Sequence, residues 1–186
     1  SIPTDSIRQI SVVRGAGAGP YGAGALTGVI AMDARSQVDN GHVTLEAEGS
    51  DLGEQKVSGS AGGALTDKVQ LFGAAQSEQG DHWIPVREGR GAADTPLQLH
   101  DWSAMGKSVI DLGFAALTAE GGGYREQRAS GIRFANSASS GDNAAVTLAA
   151  QPDATHLGWR LQAWVRQSNL YNSSAAVSNN RNPATL

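Results

Sequence analysis

Apolar and polar residues alternate along much of this chain with a period of two. In "HVTLEAEG" (42–49), Val43, Leu45 and Ala47 fall on one side and Thr44, Glu46 and Glu48 on the other. That is a strand with one wet face. "HLGWRLQAWVRQSNLY" (156–171) repeats the pattern most clearly: Leu157, Trp159, Leu161, Ala163 and Val165 alternate with Gly158, Arg160, Gln162, Trp164 and Arg166. "KVQLFGAAQSE" (68–78) sets Val69, Leu71, Gly73 and Ala75 together. Weaker runs at 55–65, 101–109, 114–123 and 143–151 bring the strands to seven. Two further strands precede them. "IRQISVVR" (7–14) has Ile10 and Val12 on one face, and "TGVIAMDAR" (27–35) centres on Val29 and Ile30.

The connections alternate in length. Short turns are expected at 65–68, 110–113 and 152–155, and long polar loops at 79–100, 124–143 and from 172 onward. In an antiparallel sheet the short turns then share one end and the long loops the other. Strands near ten residues with one apolar face and this asymmetry are the pattern of a transmembrane β-barrel. A soluble antiparallel sandwich also alternates and is the competing reading.

Between the first two strands lies "RGAGAGPYGAG" (14–24), in which Gly17, Gly19 and Gly22 spell GxGxxG. A dinucleotide site needs a helix at the last glycine, a βαβ unit and an acid about twenty residues on. Asp39 is near that spacing, but Gly22, Gly24 and Gly28 each weaken a helix by about 1 kcal/mol relative to Ala, and period-two sequence follows. The glycines instead suit backbone that folds tightly against a wall. Residues 15–32 carry no charge, yet six glycines and a proline argue against a spanning helix.

Composition narrows the classes. The 186 residues set one domain as the expectation, two at most. The chain has no cysteine, which excludes disulfides and thiolate chemistry. Net charge is −4, so no basic footprint for nucleic acid is visible. Charged residues make up only 17%, and there are 24 glycines, unlike an ordinary cytosolic domain. His42, His82, His100 and His156 are scattered without metal-ligand spacing, so neither a metal nor a cofactor is expected. No nucleophilic triad or carboxylate pair stands out, and an enzyme is not expected.

Residues 7–35 resemble the end of the plug domain of TonB-dependent outer-membrane receptors. That family reads Ile-Glu-Arg-Ile-Glu-Val-Val-Arg-Gly-Pro, a few small residues, then Leu-Tyr-Gly-x-x-Ala-x-Gly-Gly-Val-Ile-Asn. Ile7, Ile10, Val12, Val13, Arg14 and Gly15 match, as do Tyr21, Gly22, Ala25, Gly28, Val29 and Ile30. Ala16, Pro20, Thr27 and Ala31 depart from it. The resemblance implies residues 1–40 as the C-terminal part of a plug and 41–186 as the N-terminal part of a β-barrel, about seven strands of 22. It implies a fragment of a longer receptor in the outer membrane of a Gram-negative bacterium. Such a receptor is worked by a TonB complex through an N-terminal segment this chain does not show. The ligand class is scarce small molecules: a ferric siderophore first, then cobalamin, haem or a sugar. A passive porin or adhesin-type barrel, or a soluble β-sandwich binding module, are the alternatives.

The resemblance assigns plug seating to Arg14, Gly15, Tyr21, Gly22 and Gly28. Arg14 would pair with glutamates of later barrel strands, since a guanidinium forks onto carboxylates. Ligand contact is expected from His82, Trp83, Arg87, His100 and Trp102 in and around the first long loop, and from Tyr124, Arg125 and Arg128 in the second. Aromatics and arginines suit an anionic ligand. The competing role for Trp and Tyr near strand ends is an interface girdle.

Overall fold

The computed structural model describes residues 3–14, 28–34, 41–51, 53–152, 156–181 and 183–184. The fold is all-β. After a single 3-10 turn at Thr4–Ser6, β1 (Ile7–Arg14) and β2 (Gly28–Ala34) form an antiparallel pair, with Ile10 opposite Met32 and Val12 opposite Ile30. β-Branched residues at the centres of both strands favour this extended pairing.

The main sheet has seven strands in strict chain order: β3 (His42–Gly49), β4 (Gln55–Thr66), β5 (Val69–Asp81), β6 (Asp94–Asp111), β7 (Ala116–Ile132), β8 (Asn136–Ala150) and β9 (Trp159–Asn172). Every neighbour is antiparallel. A short pair, β10 (Ala176–Val177) and β11 (Pro183–Ala184), follows. All seven strands of the sequence pattern exist, and the first three begin within a residue of the expected positions.

The connections differ from expectation. The segment 79–100 is not one loop: β5 runs on to Asp81 and β6 starts at Asp94, leaving 82–93. The expected loop 124–143 is strand almost throughout, broken only at 133–135. His100 therefore lies in β6, and Tyr124, Arg125 and Arg128 in β7, not in loops, while Trp102 lies in β6 within the run 101–109 expected as strand. The physical reason for β7 and β8 is that their ends are polar on both faces and lack the alternation that marks a half-buried strand. In β6, Leu97 and Leu99 alternate with Gln98 and His100 behind Pro96, a residue that reads as a loop or strand edge. The contrast of long and short connections goes with them, since 151–158 is now longer than 133–135. Residues 153–155 of the expected third turn lie outside the described residues, as do Gly15, Tyr21 and Gly22.

Residues directly opposite in the ladder share a face. One face carries Thr44, Ser60, Ala74, Met105, Gly122, Asn143 and Arg166 in a single row. Next to it run Glu46, Ser58, Gln76, Ser103, Tyr124, Gly141 and Ser168. The other face carries Val43, Ala61, Gly73, Gly106, Gly121, Ala144 and Val165. One face is polar and the other apolar.

The N-terminal turn sits on the polar face. The Thr4 backbone N–H donates to Gln76 Oε1 at 3.1 Å, and Ser6 Oγ donates to the Pro3 carbonyl at 2.6 Å. Pro3 and Ser6 are buried there, together with Ser58, Ser60, Phe72, Ala74, Asp101 and Ser103 on the sheet. The apolar face has no such cover: Val43 is 77% exposed, Leu45 79% and Leu161 68%. Burial thus follows the polar side, the reverse of a soluble sandwich, which closes its apolar faces against each other.

Candidate functional site

The apolar side chains form a belt, not a uniform surface. In β4 it spans Val57 to Leu65, in β6 Trp102 to Ile110 and in β9 Trp159 to Val165. Toward the loop-side end, the same face turns polar with Ser77, Gln79, His100, Arg125, Gln127, Gln167 and Asn169. The belt is also oblique. Its upper edge is Val57 in β4, but in β9 it is Val165, whose ladder row returns to Ala61. A drop of four residues is about 13 Å of strand, set against about 24 Å across five strand spacings. The belt thus crosses the ladder at about 30°. Strands of membrane barrels tilt by about 35–45°. Trp102 stands at the upper edge of the belt, with Trp159 and Phe114 at the lower.

The polar face has its own order. Glu48, Lys56, Glu78, Asp101 and Glu126 occupy one row just below the loop-side end. Four carboxylates and one lysine give this row an anionic field. Below it, a cavity of about 250 Å³ separates the N-terminal turn from the wall, between Pro3, Ser6, Ile7 and Met32 on one side and Met105, Gly122, Tyr124 and Asn143 on the other. Gly122 keeps the floor bare: a Cβ there would come 2.8 Å from the Ala104 carbonyl.

The residues singled out from sequence do not converge on one surface. His82, Trp83 and Arg87 lie in 82–93. His82 Nδ1 is 3.0 Å from Glu54 Oε1, which ties this segment to the 50–54 connection, and its ring meets Trp83 edge-on at 6.0 Å. Arg87 is exposed. His100, Trp102 and Arg125 are on the belt side of the sheet, while Tyr124 and Arg128 face the other way. Tyr124 lies over Gly141, where a Cβ would meet its ring at 2.7 Å. Arg128 Nε pairs with Glu126 Oε1 at 2.7 Å.

Of the residues the resemblance assigned to seating, Arg14 is the exposed last residue of β1, directly opposite Gly28. A Cβ on Gly28 would come 2.6 Å from the Val13 carbonyl, so β2 closes on β1 there only because the residue is glycine.

Sequence reasoning missed the best-formed polar contact. Asp94, at the loop-side end of β6, has a side chain only 1% exposed and accepts a fork from Arg181, with Nε–Oδ2 at 2.8 Å. The Gly91 N–H donates to the same oxygen at 2.9 Å. Arg181 and this N–H hold the Asp94 carboxyl down at about 2. The two residues are 87 positions apart, so no local pattern could have linked them. Among the described residues, no three His, Asp or Glu side chains gather as metal ligands, and no helix is long and apolar enough to cross a membrane.

No protein-family model, curated protein or solved structure matches this chain.

Proposed function

We propose that the chain is the end of the plug and the first strands of the barrel of a TonB-dependent outer-membrane receptor. Its task is energy-coupled uptake of a scarce ligand, with a ferric siderophore as the first candidate. The observation that carries this reading is the oblique apolar belt on an exposed face, opposite a polar face that holds the N-terminal segment. Lipid accepts apolar side chains on a tilted sheet, and a plug needs a polar wall. Belt height is close: Val57 to Leu65 spans about 26 Å along the strand, or about 23 Å of height at the inclination of about 30°, near the roughly 25 Å apolar band of such barrels. The plug-like sequence of residues 7–30 adds the receptor class, because a passive porin has no use for it. Catalysis is no part of this reading.

The test is the native protein's size and place. An antibody against residues 42–171 is applied to separated membrane fractions of cells grown with and without iron. The expected result is an outer-membrane band several times larger than 19.2 kDa, induced by iron starvation. A soluble band at 19.2 kDa would overturn the membrane reading, and an outer-membrane band indifferent to iron would remove the siderophore.

A further inference from the structure

The cavity of about 250 Å³ under the N-terminal turn has an ordered floor. Gly122 of β7 lies at its centre. Met105 of β6 and Asn143 of β8 stand directly opposite Gly122 on either side. Tyr124 and Glu120 are two residues away along β7, so they share its face above and below. All four side chains line the cavity. A thioether, an amide, a phenol and a carboxylate thus surround one bare residue. Glycine weakens a strand interior and often marks the close approach of a ligand or another backbone.

The roof leaves this box unfilled. The 3-10 turn is pinned where the Thr4 N–H meets Gln76 of β5, two strands away from Gly122. The Ser6 hydroxyl is turned onto the Pro3 carbonyl at 2.6 Å, within the turn itself. Met32 of β2 brings a second thioether to the lining and is 53% exposed. Methionine is the side chain that most readily fills irregular gaps. The chain has two methionines, both line this cavity, and the space remains between them.

We infer that this cavity binds a small phenol, a single aromatic ring carrying a hydroxyl. The ring lies over the Gly122 floor, where the Met32 and Met105 sulfurs favour its edges. The hydroxyl donates to Glu120 or to the Asn143 amide oxygen, and accepts from the amide N–H. Glu120 is directly opposite Lys107 in the ladder, so its charge is balanced locally and a neutral hydroxyl suits the floor better than a cation. The volume lies below the roughly 300–1,000 Å³ of sites for drug-sized ligands, so one ring fits and a ferric siderophore does not. The box is made by these strands and the turn alone, so it stands or falls apart from the receptor reading.

4-Fluorophenol is titrated into the purified chain and followed by fluorine NMR, with empty detergent micelles as the baseline. Saturable binding above that baseline is expected, with fluorobenzene about tenfold weaker because the polar groups then go unmet. Asn143→Leu should weaken 4-fluorophenol about tenfold and leave fluorobenzene unchanged. Met105→Leu keeps the volume but removes a sulfur, and should weaken both probes about threefold. No saturable binding overturns the site. Equal affinity for the two probes overturns the hydroxyl-bearing class, and binding that neither substitution changes overturns the location. The comparison of probes on the unaltered chain decides even if one variant fails to fold.

Discussion

The two halves of the sheet are built from the same strands but obey different rules. Below Trp102, β6 shows Ala104, Gly106 and Ile110 on one face and Met105, Lys107 and Val109 on the other. Above it, β6 continues with Gln98 and His100 on the belt face and Leu97 and Leu99 on the other, and β7 with Arg125 and Gln127 on the belt face and Arg128 on the other. The belt half is ordered by what each face touches. The loop-side half is held by its ladder and by specific polar contacts, such as His82 with Glu54 and Arg181 with Asp94. Substitutions should therefore act by position in the belt half and by partner in the loop-side half.

The largest contrast is expected from charge. Val146→Arg places a guanidinium within the apolar belt, whereas Gln127→Arg places it on the same face above. In lipid vesicles the first should cost about 2–4 kcal/mol and the second about 0–1 kcal/mol, read from urea unfolding. Equal costs would erase the distinction between the halves.

A packing change comes next. Gly141→Ala puts a methyl where the Tyr124 ring lies, and overpacking of this kind costs about 1–3 kcal/mol. The same unfolding measurement on Gly141→Ala in a Tyr124→Ala background should show the penalty reduced but not abolished, because the methyl also lies 2.8 Å from the Gln167 carbonyl. An undiminished penalty would mean that Tyr124 does not need the bare backbone.

The smallest effect is confined to the loops. The folded Asp94 carboxyl sits at about 2, below its ordinary 3.8, so its charge favours the folded state above the unfolded value. This contribution is lost as pH falls through about 2. Acid should loosen the loop-side contacts around Asp94 before belt strands respond. Trp83 fluorescence against pH checks this, with Asp94→Asn losing the transition.

The same division explains what could be read in the sequence. β1, β3 and β9 were legible because a half-apolar strand writes its period directly into the chain, as in Val43, Leu45 and Ala47. The polar extensions of β7 and β8 read as loops because nothing in "REQRAS" or "NSASSGD" alternates. Their strand character comes from neighbours: Arg125 is opposite Trp102 and Ser140, and the ladder supplies every backbone partner. The candidate site suffered in the same way. Tyr124, Arg125 and Arg128 looked like one loop cluster, but the pleat sends Arg125 to the opposite face from the other two. Asp94 with Arg181, and Gln76 with Thr4, were invisible because they join residues far apart in the chain.

That distance bears on how the molecule forms. Every ladder of the main sheet joins consecutive strands, so the sheet can grow hairpin by hairpin with short loop closures and little waiting. The Thr4–Gln76 bond closes 72 residues and needs the β4–β5 wall beneath it. Docking of the N-terminal turn is thus a late, slow event, and the polar wall stands open to water until it happens.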